Sequence, residues 1–400
     1  MKEVNDMQKN TITSMVEEVF PQVVEWRRHL HQHPELSFEE YETSKFIEEQ
    51  LNTFDGIEVS RPTKTSVMGR LKGLAGDGKT IAMRADIDAL PIHEETGISF
   101  ESKVDGKMHA CGHDGHTSML LGTAKILSEI KKTLTGEFVF IFQHAEELPP
   151  GGAQEMVAAG VLEGVDCILG MHLWSTVPVG VIQVTKGPMS AASDIFDITV
   201  KGKSGHASQP EDAIDALAVG SQIVSNLQQI VSRVLSPLEN GVVSCTRFHS
   251  GDAYNVIPDQ ALIGGSVRTL SNDVREKIKD NLEKISTNIA EAHGATAELS
   301  YQYGYDPVFN DIDLSTKVMQ HLTEFFTDAK VEEIPPMMGG EDFSAFSNVV
   351  PGCYIGVGAM KKKDDVFYPH HHPRFEINEK ALKIGISYFV STALFLTSQY

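Results

Sequence analysis

An unbroken apolar run at residues 136–143, Gly-Glu-Phe-Val-Phe-Ile-Phe-Gln, requires cover on both faces. A strand with one face in water alternates apolar and polar side chains, whereas a doubly covered strand does not. The run therefore predicts an α/β sheet packed between other layers. It delivers His144-Ala145-Glu146-Glu147 to its end, ahead of the loop Pro149-Pro150-Gly151-Gly152. Two further runs, 80–86 and 165–171, have the same texture and end in Asp86 with Asp88 and in His172. In open α/β sheets the ends of such strands line the ligand crevice. For Asp86 and Asp88 a turn cap is equally compatible with the pattern. For Glu146 and Glu147, adjacent carboxylates on an extended chain point apart, so one is expected to ligate a metal and the other to handle a proton.

Between these strands lies His109-Ala110-Cys111-Gly112-His113-Asp114-Gly115-His116. Cys111 and His113 flank Gly112, and a looped backbone there lets both side chains converge on one cation. Thiolate and imidazole suit zinc, nickel, cobalt or manganese better than calcium or magnesium. From Thr117 the apolar residues recur at helical spacing, so the cluster sits at a helix N-terminus, where the dipole favours a thiolate. A lone cysteine would read as a buried packing residue; a thiol among three histidines reads as part of a site. Tyr368-Pro369-His370-His371-His372-Pro373 crowds three more imidazoles into a stiff loop, which reads as ligand supply rather than as a solvated loop.

A chain of 400 residues exceeds what one core usually serves, so two domains are expected. The formal charge of −21 argues against nucleic acid or an anionic membrane as partner. The four cysteines, Cys111, Cys167, Cys245 and Cys353, are far apart, which speaks for a reducing compartment. With no apolar signal-type segment at the start and no apolar run approaching roughly 18 residues, a cytoplasmic protein is expected. Helices are expected at 12–30, with Pro21 as an interruption, and at 39–51, followed by a strand at 66–71. Beyond residue 190 the order becomes strand 195–200, helix 213–234, strands 242–248 and 261–268, helix 273–292 and strand 297–303. This β-α-β-β-α-β order is ferredoxin-like, and its close termini suit insertion into another domain. The inserted domain is placed at 191–306. It divides a catalytic domain into 1–190 and 307–400, the latter with helices at 314–326 and 379–396 and a strand at 354–357.

Taken together, these motifs resemble the di-metal aminoacylase and carboxypeptidase family in its amidohydrolase branch, which holds hippurate hydrolases, N-acyl-amino-acid deacylases and hydrolases of indole-acetyl amino acids. The resemblance runs through residues 83–91 (Met-Arg-Ala-Asp-Ile-Asp-Ala-Leu-Pro), 109–114, 144–147 and 170–172. It continues through Gly205-His206-Ala207 with Pro210, Asn255-Val256-Ile257-Pro258, Gly339-Gly340-Glu341-Asp342-Phe343 and His371-His372-Pro373. It implies a metallopeptidase-like α/β catalytic domain with a mixed sheet, plus an inserted ferredoxin-like α+β lid and dimerisation domain. It also implies that Cys111, His113, Glu147, His172 and His371 hold two divalent metals, manganese or zinc first, cobalt or nickel as alternatives. Glu146 would be the general acid/base. His206 would contact the substrate carbonyl from the partner subunit of a homodimer or dimer of dimers, and Asn255, Arg268 and Gly340 would contact the substrate. His206 as a turn cap and Arg268 paired with an acidic neighbour are the structural alternatives; the roles of His370 and His372 stay open.

The expected reaction is hydrolysis of an N-acyl amino acid to a carboxylic acid and a free amino acid. A dipeptidase or carboxypeptidase of the same family is the nearest alternative. A cysteine amidase with Cys111 as nucleophile and a non-catalytic metal-binding protein on the same fold are the more distant ones.

Overall fold

The computed structural model describes residues 2–362 and 366–397, with side chains from Lys9 onward. The chain forms two compact units. The first comprises Met1–Gly187, Phe309–Pro335 and Asp342–Tyr400; the second comprises Pro188–Val308 and Pro336–Glu341.

The first unit is built on an eight-stranded mixed sheet in the order Ile57–Ser60, Val67–Lys72, Thr135–Gln143, Gly76–Asp86, Cys167–Trp174, Gly352–Gly358, Val181–Val184, Lys330–Glu333. Its four central strands, Thr135–Gln143 to Gly352–Gly358, run parallel. The apolar run at 136–143 is one of them, and every residue from Phe138 to Gln143 is buried. Since parallel neighbours end on the same side, Asp86, Gln143 and Trp174 mark one common edge, and the loops that follow them meet there.

The helices His113–Ile130 and Lys380–Thr397 pack against this sheet, and Lys2–Gln32 packs on both of them. They approach closely because small residues sit at the crossings. A Cβ on Gly122 would lie 2.7 Å from Val23 Cγ2, and one on Gly385 2.2 Å from Met119 Sδ. Pro21 does not interrupt the first helix, which is continuous from Lys2 to Gln32. A proline there removes one backbone hydrogen bond at a cost of about 3 kcal/mol. Burial of Val16, Val19, Val23 and Trp26 on either side of it offsets that loss. His172 also departs from expectation: it lies inside the Cys167–Trp174 strand rather than beyond its end.

The second unit is an antiparallel sheet in the order Gly241–His249, Gln260–Thr269, Ala192–Lys201, Thr296–Gln302, with helices Ala216–Gln229 and Asn272–Ala292. This is the ferredoxin-like arrangement, with the first and third strands central. The expected long helix at 213–234 is shorter, because Asp215 caps it by accepting the Ala218 N–H at 3.0 Å and its last turn widens into a π-helical segment, Ile230–Val234. Inside the unit Asp194 is buried and receives the guanidinium of Arg275 and the hydroxyl of Tyr301. No described helix is long and apolar enough to cross a membrane.

Candidate metal centre

The Cys111 loop enters the His113–Ile130 helix through Gly112, whose φ of 96° is left-handed and suits a residue without a Cβ. This turn brings Cys111 and His113 together with His172, their ligand atoms all within 4.8 Å of one another. A second group, Cys111, Glu147 and His371, meets the same criterion, so Cys111 is common to both.

Hydrogen bonds to the far side of each imidazole fix which nitrogen faces inward. His113 Nδ1 lies 3.0 Å from the Asp88 carbonyl and 3.2 Å from its carboxylate, both acceptors, so Nδ1 carries the proton and Nε2 presents a lone pair. His172 Nδ1 donates to the Leu173 carbonyl at 2.9 Å, which leaves its Nε2 facing Cys111 Sγ at 3.3 Å. His113 Nε2 is buried without a hydrogen-bond partner, as is Glu147 Oε1. The two face each other at 3.8 Å, and His371 Nε2 stands 3.4 Å from the same Glu147 oxygen. Buried polar atoms left unpaired are costly, and here they converge with a thiol in a donor set of sulfur, nitrogen and oxygen. These residues fit a divalent transition-metal pair.

Three neighbouring histidines, His116, His370 and His372, each engage a ring nitrogen elsewhere. His116 Nε2 accepts the Leu173 N–H at 2.9 Å while its Nδ1 faces Asp86 Oδ1 at 2.6 Å, so neither nitrogen is available. His370 Nε2 accepts from Ser175 N at 3.2 Å, and burial pushes its pKa down to about 3. His372 Nδ1 accepts from Arg374 N, and its ring stacks on Tyr368. His109 differs: it is buried with neither ring nitrogen hydrogen-bonded, and desolvation brings its pKa down to about 4. In the His triplet, then, it is His371 that joins Cys111 and Glu147, with its own φ at 63° and its N–H on the Ala110 carbonyl.

Two expectations are revised by this geometry. Glu146 and Glu147 do not point apart: Glu146 Oε2 and Glu147 Oε1 lie 4.0 and 3.8 Å from His113 Nε2. Just before them Ala145, with a left-handed φ of 51°, sets the direction in which this segment leaves the strand. Nor does the helix N-terminus by itself favour a Cys111 thiolate. Burial, then the carboxylates of Glu147, Glu146 and Asp86, push this thiol well above its ordinary value. A thiol so placed is a poor free nucleophile, whereas a coordinated cation reverses the balance. His113 responds in the opposite sense: burial lowers its pKa, but Asp86, Asp88 and Glu147 together raise it to about 10, so without a cation Nε2 is protonated as well, and a bound cation would take the place of that proton.

Behind the site lies a buried charge network that sequence patterns did not single out. Arg27 Nε and His31 Nδ1 meet Asp114 Oδ2 at 3.0 and 2.9 Å, and His31 Nε2 meets Glu94 Oε1 at 3.1 Å. This pins the first turn of the helix that carries His113. A parallel cluster of Arg84, Asp86, Gln143 and Asp342 holds the strand ends. The only sequence signal for the first network was the basic run Arg27-Arg28-His29 with His31 on an otherwise amphipathic helix. Although burial lowers the His31 pKa, Asp114 and Glu94 outweigh it and raise the value above 6.5. Its pairing therefore contributes in full below about pH 6.5 and is lost as pH rises through the raised folded value. In metal-depleted protein, His31→Gln is expected to cost about 1.5–3 kcal/mol of unfolding free energy below pH 6.5. Urea titrations at successive pH values should show that gap narrowing as pH rises; a gap that widens contradicts the assignment.

The other candidates lie in the second unit. His206 and Asn255 sit side by side on a two-stranded ribbon, where His206 pairs with Val256 and the Ala207 N–H reaches the Asn255 carbonyl at 3.0 Å. His206 Nδ1 accepts the Ser208 N–H at 3.1 Å, a turn-cap contact that leaves Nε2 available. Arg268 is half-buried on the Gln260–Thr269 strand, its guanidinium on the carbonyls of Val267 and Asp194 rather than on a carboxylate. Gly340 faces Ser193, whose Cβ would be 3.0 Å from any Cβ added there.

With this geometry in hand, comparison with known proteins is decisive. The profile of peptidase family M20/M25/M40 matches residues 82–394. The chain belongs to this family. An N-acyl-L-amino acid amidohydrolase of Geobacillus stearothermophilus is 54% identical over 304 residues, 76% of this chain and 82% of that protein. An N-acetylcysteine deacetylase of Bacillus subtilis is 42% identical over 380 residues, 93% of this chain and 96% of that protein. A Bacillus subtilis structure described as a dinuclear metal binding peptidase of the M20 family superposes with a TM-score of 0.84 at 38% identity, covering 96% of this chain and 100% of that one. This M20 protein is a metal-dependent amidohydrolase acting on a small-molecule substrate, and its fold is that of the dinuclear enzymes.

Proposed function

We propose that the protein hydrolyses the amide bond of N-acyl amino acids, with acetyl, benzoyl or similar acyl groups, to a carboxylic acid and a free amino acid. Two divalent cations would be held by Cys111, His113, Glu147, His172 and His371, with manganese or zinc the first choices for a mixed sulfur, nitrogen and oxygen set. The observation that carries this reading is the pair of buried ligand atoms without a hydrogen bond, His113 Nε2 and Glu147 Oε1, facing each other beside Cys111. When bound, such cations polarise the scissile carbonyl and lower the pKa of water toward 7.

The chain's own groups do the rest. Glu146, buried next to Glu147, takes the proton of the attacking water and returns one to the leaving nitrogen, so that the amine departs neutral. Asp88 holds His113 in the tautomer that leaves Nε2 free for ligation. His206 is assigned to the substrate carbonyl, and Asn255, Arg268 and Gly340 to the remainder of the substrate. The reading extends to a cytoplasmic homodimer formed through the second unit. In its favour, Gly241–His249 is a sheet-edge strand with Val242 and Phe248 exposed.

A panel of N-acetyl and N-benzoyl amino acids beside dipeptides tests the substrate class. The expected result is turnover of the N-acyl compounds with kcat/KM at least about 10-fold above that of any dipeptide, a difference of about 1.4 kcal/mol in transition-state binding. The reverse order would assign the protein to the dipeptidases.

A further inference from the structure

The segment that carries Glu146 and Glu147 leaves its strand through Ala145, a residue with a Cβ in left-handed backbone. Such a conformation persists only where the surroundings enforce it. Among the described non-glycine residues, Phe38, Ala145 and His371 have positive φ. Two of them, Phe38 and Ala145, donate their N–H to the same atom, Glu40 Oε1, at 3.0 and 2.7 Å. Glu40 itself is fully buried, and its second oxygen, beside Thr65, has no well-formed hydrogen bond. Next to it the loop makes a second brace: Ser37 donates to Asp88 Oδ2 at 2.7 Å, and the same oxygen accepts the Glu147 N–H at 3.0 Å.

Nothing in general packing calls for a carboxylate at position 40. It is desolvated, lies near the Asp88 carboxylate, and these two effects raise its pKa to about 7. A buried acidic group under that penalty is retained where its acceptor geometry serves something. What it serves here is the conformation of two facing loops, one of which carries the Glu146–Glu147 pair.

We propose that Glu40 is a positioning residue for the reaction, which fixes the left-handed turn at Ala145 through Oε1 and so sets the direction of Glu146 and Glu147. This rests on the proposed roles of those two residues. The requirement is for an acceptor at the right reach, not for a charge. Glu40→Gln keeps an oxygen at the end of a side chain of the same length, whereas Glu40→Asp keeps the charge and withdraws the oxygen by one methylene.

Three quantities separate this from a purely structural role: manganese affinity of the metal-depleted protein by titration calorimetry, kcat at saturating manganese, and Tm. Glu40→Asp is expected to bind manganese about 10–100-fold more weakly and to lose at least about 10-fold in kcat, the range seen when a partner of a metal ligand is removed. Glu40→Gln should stay within about threefold of the parent in both. Glu40→Asp with parental manganese affinity and kcat, whatever its Tm, overturns the proposal, and so does Glu40→Gln falling as far as Glu40→Asp. Manganese affinity is read without substrate, so a wrong assignment of the substrate class leaves this test intact.

Discussion

Glu146→Gln is expected to bind its full complement of metal and to lose turnover by about 10²–10⁴-fold, the contribution of a well-placed general acid/base. The two carboxylates of the pair lie almost equally far from His113 Nε2, so proximity alone does not divide the work between them. Their surroundings do. Glu147 Oε1 is buried, lacks a hydrogen-bond partner and belongs with Cys111 and His371, while its own N–H is tied to Asp88. On the proposed reading its carboxylate would be the ligand, and Glu146 would move the proton. Gln at position 146 preserves size and the backbone turn but cannot accept a proton. Single-turnover kinetics with metal content measured on the same sample checks this. Near-parental turnover, or loss of metal along with activity, would move the general-base role elsewhere.

His113→Ala should be the more damaging change at the level of metal binding. In the proposed centre His113 would supply Nε2 from a helix whose first turn is clamped by Asp114 with Arg27 and His31. His116, one turn further along, is already bound through both nitrogens. The expected loss in metal affinity exceeds about 100-fold, beyond the 10–100-fold that removing an outer partner such as Asp88 costs. Equilibrium dialysis against manganese or zinc gives the number. Retention of both equivalents in the His113→Ala protein would show that the converging donor atoms are not the metal site.

Much of the architecture was legible because apolar patterning repeats. The doubly buried strand Thr135–Gln143 and the alternating strand Ala192–Lys201 announce two kinds of sheet, and the β-α-β-β-α-β order gives the antiparallel second unit its strand order. The Cys111 loop and the His371 triplet were legible because several ligand-type side chains crowd into a few residues. What local patterns could not reveal depends on partners distant in sequence. Glu40 reads as one more acid at the start of a helix until Ala145 is brought to it across 105 positions. His31 reads as a polar residue in a helix tail until Asp114 and Glu94 enclose it. Pro21 is the converse: its local signal is strong, and packing along the Lys2–Gln32 helix overrides it. The Glu146–Glu147 pair converges on His113 Nε2 rather than splaying apart, which the local sequence does not announce.

The central claim is that amide hydrolysis here depends on metal held by Cys111, His113, Glu147, His172 and His371. The direct test depletes the protein of metal with a chelator, then assays N-acetyl amino acid hydrolysis during stepwise return of manganese, zinc, cobalt or nickel. The account predicts that activity vanishes on depletion and recovers up to about two equivalents of cation per chain, as two-metal catalysis requires. Activity indifferent to the chelator and abolished by alkylation of Cys111 would contradict it, and would make that thiol the nucleophile instead.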